Sequence, residues 1–206
     1  MIGIVDYGMG NLRSVAKALE RAGGQVQLVR TPSQLEDAAK IVLPGVAAFG
    51  DAIDALYQAE LVEPLVAAIG RGTPYLGLCL GLQLLFDVSY EDGQHTGLGV
   101  LAGKVVRFNM DPSVTGRKLS VPHMGWNQIH WPRDIAMFAG IEQGASVYFA
   151  HSYHVVPADD SVVAATTEYG YPFVSAVWKD NVFATQFHPE KSQAVGLRLL
   201  KNFVDL

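Results

Sequence analysis

Apolar residues fall in short runs along the chain, separated by Gly, Pro, Asn and Asp at turn positions. The first run, residues 1–6, has the length of a buried strand. Tyr7-Gly8-Met9-Gly10 makes a turn, and Asn11 is placed to cap a helix that reaches residue 22 and ends at Gly23-Gly24. Residues 25–29 and 40–43 read as two further strands, the second stopped by Pro44-Gly45. Residues 49–69 carry helical spacing with a break near Pro64, since proline prefers a first turn. Gly72-Thr73-Pro74 leads into a strand over residues 75–78, and residues 80–86 read as a helix.

The second half has a different rhythm. Residues 100–108, 127–131, 147–155, 162–169, 173–178 and 182–187 look like strands joined by short turns, and a helix over residues 192–204 closes the chain. Alternating strands and helices followed by strand runs predict an α/β fold. The expected sheet is open, mostly parallel and doubly wound, with helices on both faces, the first strand central, and an added antiparallel portion. No linker, internal repeat or low-complexity tract interrupts the pattern, so residues 1–206 are read as one domain.

Composition narrows the choice of partner and compartment. At 206 residues with half of them apolar, the chain can bury a sizeable core. A formal charge of −5 gives no support to binding nucleic acid or an anionic membrane. The start, MIGIVDYGMG, lacks the basic and apolar regions of a signal peptide, and no apolar run reaches membrane-spanning length. One cysteine excludes an intrachain disulfide and fits a reducing compartment, the cytoplasm.

That cysteine, Cys79, stands at a strand–helix junction in Gly77-Leu78-Cys79-Leu80-Gly81. A lone cysteine in an apolar run is ordinarily a small buried hydrophobe. The flanking glycines give the segment the form of a nucleophile elbow, in which a sharp turn lifts the side chain above the sheet edge. The helix that follows would point its positive end at the sulfur and favour thiolate, and the Leu80 N–H would be free to hold an oxyanion. A base is supplied by Gln186-Phe187-His188-Pro189-Glu190. The residue before proline is pushed to extended geometry, and side chains two apart then face the same way. His188 and Glu190 can therefore stand side by side as base and orienter, completing a Cys79–His188–Glu190 triad. No CxxC or HxxxH spacing points to zinc, and neither metal nor cofactor is expected.

The elbow, the HPE segment and their order resemble the class I glutamine amidotransferases over nearly the whole chain. Asp6-Tyr7-Gly8-Met9-Gly10-Asn11, Pro44-Gly45-Val46 and Pro122-His123-Met124-Gly125-Trp126-Asn127 narrow the likeness to glutaminase subunits that serve imidazole glycerol phosphate formation in histidine biosynthesis. The resemblance implies that Cys79 attacks the side-chain amide of L-glutamine, that His188 moves the proton, and that water hydrolyses the thioester to glutamate. It implies an oxyanion hole at Leu80 and Gly45-Val46. It implies substrate-binding roles for Gln83, Glu91, His151, Ser152 and Tyr153. The ammonia would pass to a partner (β/α)8-barrel cyclase, which makes imidazole glycerol phosphate and aminoimidazole carboxamide ribotide, in a heterodimer. Asn11, Met124, Trp126 and Lys191 match positions facing that cyclase, although an aromatic such as Trp126 ordinarily belongs to a core. No GxxxxGK phosphate loop is present, in keeping with a nucleotide held on another protein.

One departure stands out. Family members usually read Pro-Gly-Val-Gly where this chain has Pro44-Gly45-Val46-Ala47, and the Cβ of Ala47 disfavours positive φ. Three other readings compete. PHMGWN and GMGN argue against a glutaminase of the pyridoxal phosphate or anthranilate systems. The complete triad argues against a catalytically dead scaffold, and the HPE segment against a DJ-1-like hydrolase.

Overall fold

A computed structural model describes residues 1–116 and 118–206. In the first part, strands β1 (Ile2–Val5), β2 (Val26–Val29), β3 (Lys40–Gly45) and β4 (Tyr75–Cys79) alternate with helices α1 (Leu12–Arg21), α2 (Pro32–Glu36), α3 (Phe49–Gln58), α4 (Val62–Gly70) and α5 (Leu80–Gln83). There follow β5 (Phe86–Ser89), β6 (His95–Thr96), β7 (Leu101–Arg107), α6 (Pro112–Thr115), β8 (His123–Gln128), β9 (Ser146–His151) and β10 (Tyr153–Pro157). β11 (Val163–Glu168), β12 (Pro172–Lys179), β13 (Val182–Thr185) and α7 (Gln193–Asp205) complete the chain.

One large sheet has the order β2-β1-β3-β4-β13-β12-β10-β7-β5-β6, with β11 also paired to β12. The half from β2 to β13 is parallel, and antiparallel ladders join β13, β12, β10 and β7. β8 and β9 form a separate two-stranded antiparallel sheet. The expected α/β sheet with an added antiparallel portion is present. The first strand is second from the edge rather than central; β13 and β12 hold the middle, with β4 next to β13.

Alternation along the strands builds a core on each face. Ile41 and Leu43 of β3 turn to a cluster with Leu35, Phe49, Ile53, Leu56 and Leu65 of α2, α3 and α4. Val42 of β3, with Leu76 and Leu78 of β4, turns the other way, to Val15 and Leu19 of α1 and to Leu199, Leu200 and Phe203 of α7. Among the described residues no helix is long and apolar enough to cross a membrane.

Several element boundaries differ from the sequence reading. Pro44 lies inside β3 instead of ending it; β1 pairs with β3 only as far as Val42, so one flank of the strand is clear of a ladder at the proline. The helical stretch 49–69 divides ahead of Pro64, at residues 59–61, where Glu60 takes a φ of 57°. The run 80–86 is buried throughout, so periodicity could not set its type, and only Leu80–Gln83 is helical before Phe86 begins β5. The single strand expected over 147–155 is two, broken at Ser152 between the small sheet and the large one. The strand expected at 127–131 sits earlier, as β8, paired with β9 from His123↔His151 to Gln128↔Ser146.

Candidate active site

Cys79 is the last residue of β4, inside the sheet at the carboxyl ends of its parallel strands, where α/β folds place their ligands. Its φ of 53° and ψ of −102° are unusual for a residue with a Cβ. The surroundings enforce this bend by close approach of backbone. A Cβ on Gly81 would fall on the Leu43 carbonyl oxygen, and one on Gly77 would lie 2.5 Å from the Gly81 oxygen. The two glycines are thus what lets α5 turn back tightly over β3 and β4. α5 is a single turn of four residues, so the expected pull of a long helix dipole on the sulfur is not available.

His188 follows β13, the parallel neighbour of β4. Its backbone is fixed from both sides: its N–H donates to the Tyr148 carbonyl at 2.9 Å, and Ser192 Oγ donates to its carbonyl at 2.7 Å. Before Pro189 it is extended, with φ −101° and ψ 96°, and His188 Nδ1 lies 2.8 Å from Glu190 Oε1. The Glu190 contact assigns the proton to Nδ1 and leaves Nε2 for the thiol, with which His188 is hydrogen-bonded. Both side chains are almost wholly buried. Burial works against the imidazolium, but hydrogen bonds to Cys79 and Glu190 and the negative charge of each outweigh it, raising the His188 pKa to about 10.

The structure brings Cys79, His188 and Glu190 together, and a cleft of roughly 310 Å³ opens beside Cys79. Its walls include Gly45, Val46, Leu80, Gln83, Glu91, His151, Ser152 and Tyr153. Gly45 stands in register with Cys79 across the β3–β4 ladder, and a Cβ there would meet that of Leu80 at 2.7 Å. Ala47 lines the cleft too, exposed and without positive φ, so in this conformation its Cβ costs nothing. Glu91 accepts from the Phe49 N–H at 2.9 Å, and burial raises its pKa.

His151 lines the cleft with both of its ring nitrogens engaged. Its Nδ1 donates to the Tyr153 carbonyl at 2.8 Å, and its Nε2 is 3.0 Å from His123 Nδ1, so both ring nitrogens are taken. Burial keeps this pair neutral, lowering His123 to about 4 and His151 to about 3.

Gln186, absent from the residues expected at the site, belongs to it as well. It is fully buried, and its Nε2 lies 3.6 Å from Cys79 Sγ. The signal was available: residue 186 is two before His188, as Glu190 is two after, and side chains two apart along extended chain share a face.

The four positions expected at a docking face are all exposed. Met124 and Trp126, at 64% and 49%, project from the same side of β8, contrary to a core aromatic. Lys191 Nζ sits 5.8 Å over the Tyr148 ring, and Trp126 meets Tyr148 edge-on at 6.0 Å. Asn11 caps α1 through Ser14 N, after the turn that ends β1.

The cysteine elbow, the buried His–Glu pair and this strand order define a class of protein. Residues 3–206 match the glutamine amidotransferase class-I family model, and the chain belongs to that family. Within it, the chain is 56% identical to the imidazole glycerol phosphate synthase subunit HisH of Syntrophotalea carbinolica over 206 residues, covering all of both chains. It is 52% identical to the same subunit of Geobacter sulfurreducens, covering 100% of this chain and 98% of that one, and 49% identical to that of Aquifex aeolicus, covering 97% and 94%. Among solved structures, PurLQS from Thermotoga maritima superposes with a TM-score of 0.75 at 21% identity, covering 99% of this chain and 97% of that one. The glutaminase domain of Trypanosoma brucei CTPS superposes with a TM-score of 0.64 at 17% identity, covering 99% and 93%; both share the fold.

Proposed function

We infer that this chain is the glutaminase subunit of an imidazole glycerol phosphate synthase and works in the cytoplasm in histidine biosynthesis. The observation that carries the chemistry is Cys79 held at a strained elbow against His188, itself held by Glu190 at 2.8 Å. Thiolate attacks the side-chain carbonyl carbon of L-glutamine, and N–H groups of Leu80 and of Gly45-Val46 receive the oxyanion. His188 gives its Nε2 proton to the leaving nitrogen, ammonia departs, and a glutamyl thioester remains. Water then gives a proton to His188 and adds to the thioester carbon, and glutamate leaves as the thiolate is restored. Gln83, Glu91, His151, Ser152 and Tyr153 line the glutamine cleft.

The ammonia passes to a partner, a (β/α)8-barrel cyclase, at the face formed by Asn11, Met124, Trp126 and Lys191. Met124 supports this placement, since it is both exposed and part of the cleft wall, and so joins the two sites. The test is release of ammonia and glutamate from L-glutamine by the complex. Equal amounts of the two, abolished in His188→Asn, are expected. Hydrolysis that survives His188→Asn at the wild-type rate would overturn the reading.

A further inference from the structure

Gln186 is a fully buried amide among largely apolar neighbours. Its backbone N–H donates to the Ser175 carbonyl at 2.9 Å, which fixes where its side chain leaves the chain just past β13. Its side-chain Nε2 donates to Cys79 Sγ at 3.6 Å, within range of an N–H···S bond. The orientation of that amide follows from a backbone group that cannot be turned round. Gln83 Nε2 lies 3.1 Å from the Tyr153 carbonyl, which only accepts, so Gln83 must present its NH₂ there. The same nitrogen lies 3.1 Å from Gln186 Oε1. Gln186 must therefore turn its oxygen to Gln83 and its NH₂ to the sulfur.

We propose that Gln186 is a further catalytic residue, a neutral donor that holds the Cys79 thiolate, with Gln83 as the positioning residue that aims it. The proposal deepens the glutaminase reading and rests on Cys79 being the nucleophile. A second donor matters because His188 has two duties. When water attacks the thioester, its proton goes to His188 Nε2. As the tetrahedral intermediate collapses, the carbon–sulfur bond breaks and its electron pair leaves on Sγ. The Gln186 N–H is already aimed at that charge and carries no proton that titrates. The chain of bonds also ends on Tyr153, in the wall of the glutamine cleft, so the group that steadies the sulfur is anchored in the substrate site.

The experiment is alkylation of Cys79 by iodoacetamide, followed against pH in wild type, Gln186→Met and Gln186→Glu. Losing a hydrogen bond to a charged group moves the thiol–thiolate equilibrium about tenfold toward the thiol. The thiolate that remains is intrinsically more reactive, by about threefold for a tenfold change in basicity. Gln186→Met should thus carry the rising limb of its profile about one pH unit to the alkaline side of wild type and level off about threefold higher, where every thiol is ionised. Crossed profiles of this kind do not follow from loosened packing, which moves both limbs the same way. Gln186→Glu keeps the shape and the bond from Gln83 but turns an oxygen to the sulfur, so it should fall further than Gln186→Met at neutral pH. With the complex, kcat for glutamine should drop about tenfold in Gln186→Met while KM stays within about twofold. Profiles of either variant that coincide with wild type, or shift uniformly, overturn the role of Gln186. A wild-type Cys79 no more reactive at neutral pH than a free thiol overturns instead the reading of Cys79 as nucleophile.

Discussion

At the scale of single residues, three side chains make a proton-holding group out of what would otherwise be a core. His188 is raised from its ordinary 6.5 to about 10, with Cys79 and Glu190 together overcoming burial. Between those two values the folded protein keeps a proton that the unfolded chain releases, so stability falls as pH rises. This contribution is whole below about pH 6.5 and gone above about pH 10. Cys79→Ala removes one hydrogen bond and one charge from His188, leaving Glu190 alone to oppose burial. Thermal melts of the two proteins from pH 6.5 to 10 should show a flatter decline in the variant, and parallel curves would contradict the coupling. The triad was legible because each member obeys a local rule, glycines around Cys79 and a spacing of two for His188 and Glu190. Gln186 obeys the same spacing, but an amide has no titration to advertise it and its partner is distant in sequence. The closed bonding of His151 was not legible either, since its partner His123 arrives from another strand.

At the scale of elements, the elbow is a packing device, and its two glycines are not equivalent to a glycine in open space. A Cβ on Gly81 would overlap the Leu43 carbonyl, and no flexible side-chain tip is there to give way. Gly81→Ala should cost about 3 kcal/mol or more, lowering Tm by roughly 6–12 °C for a chain of this size. Gly70 ends α4, is exposed and has open space around its Cα. Gly70→Ala should instead stabilise by about 0.5–1 kcal/mol. Melts of the pair test whether close backbone approach, rather than glycine content, shapes the site; equal shifts would contradict it. Strand–helix alternation in the first half was readable because each run has turn residues at both ends. The segment after Cys79 was not, because every residue from Leu80 to Phe86 is buried and neither period can show. The break at Ser152 was equally hidden, as β9 and β10 differ only in which sheet they join.

At the scale of the whole molecule, parallel strands deliver the thiol, the base and the cleft to one edge, and β8 sets an exposed Met124 and Trp126 beside them. Strand order could not be read from the chain, because β13 reaches the centre from the far end of the sequence. Trp126 and Lys191 meet through Tyr148 at the surface rather than in the core. Trp126→Ala should therefore leave Tm nearly unchanged while raising the concentration of the partner subunit needed for half-maximal glutaminase activity by thirtyfold or so, the size of a hot spot of about 2 kcal/mol. A large fall in Tm with an unchanged titration would place the docking face elsewhere. The central claim is that Cys79 serves only to release ammonia from glutamine, and the direct measurement is synthesis by the Cys79→Ala complex with each of two nitrogen sources. With glutamine, the rate should fall roughly 10⁴-fold or more; with ammonium salts it should stay within about twofold of wild type, because the fold and docking face are untouched. Glutamine-dependent synthesis near the wild-type rate, or equal loss with both sources, would contradict it.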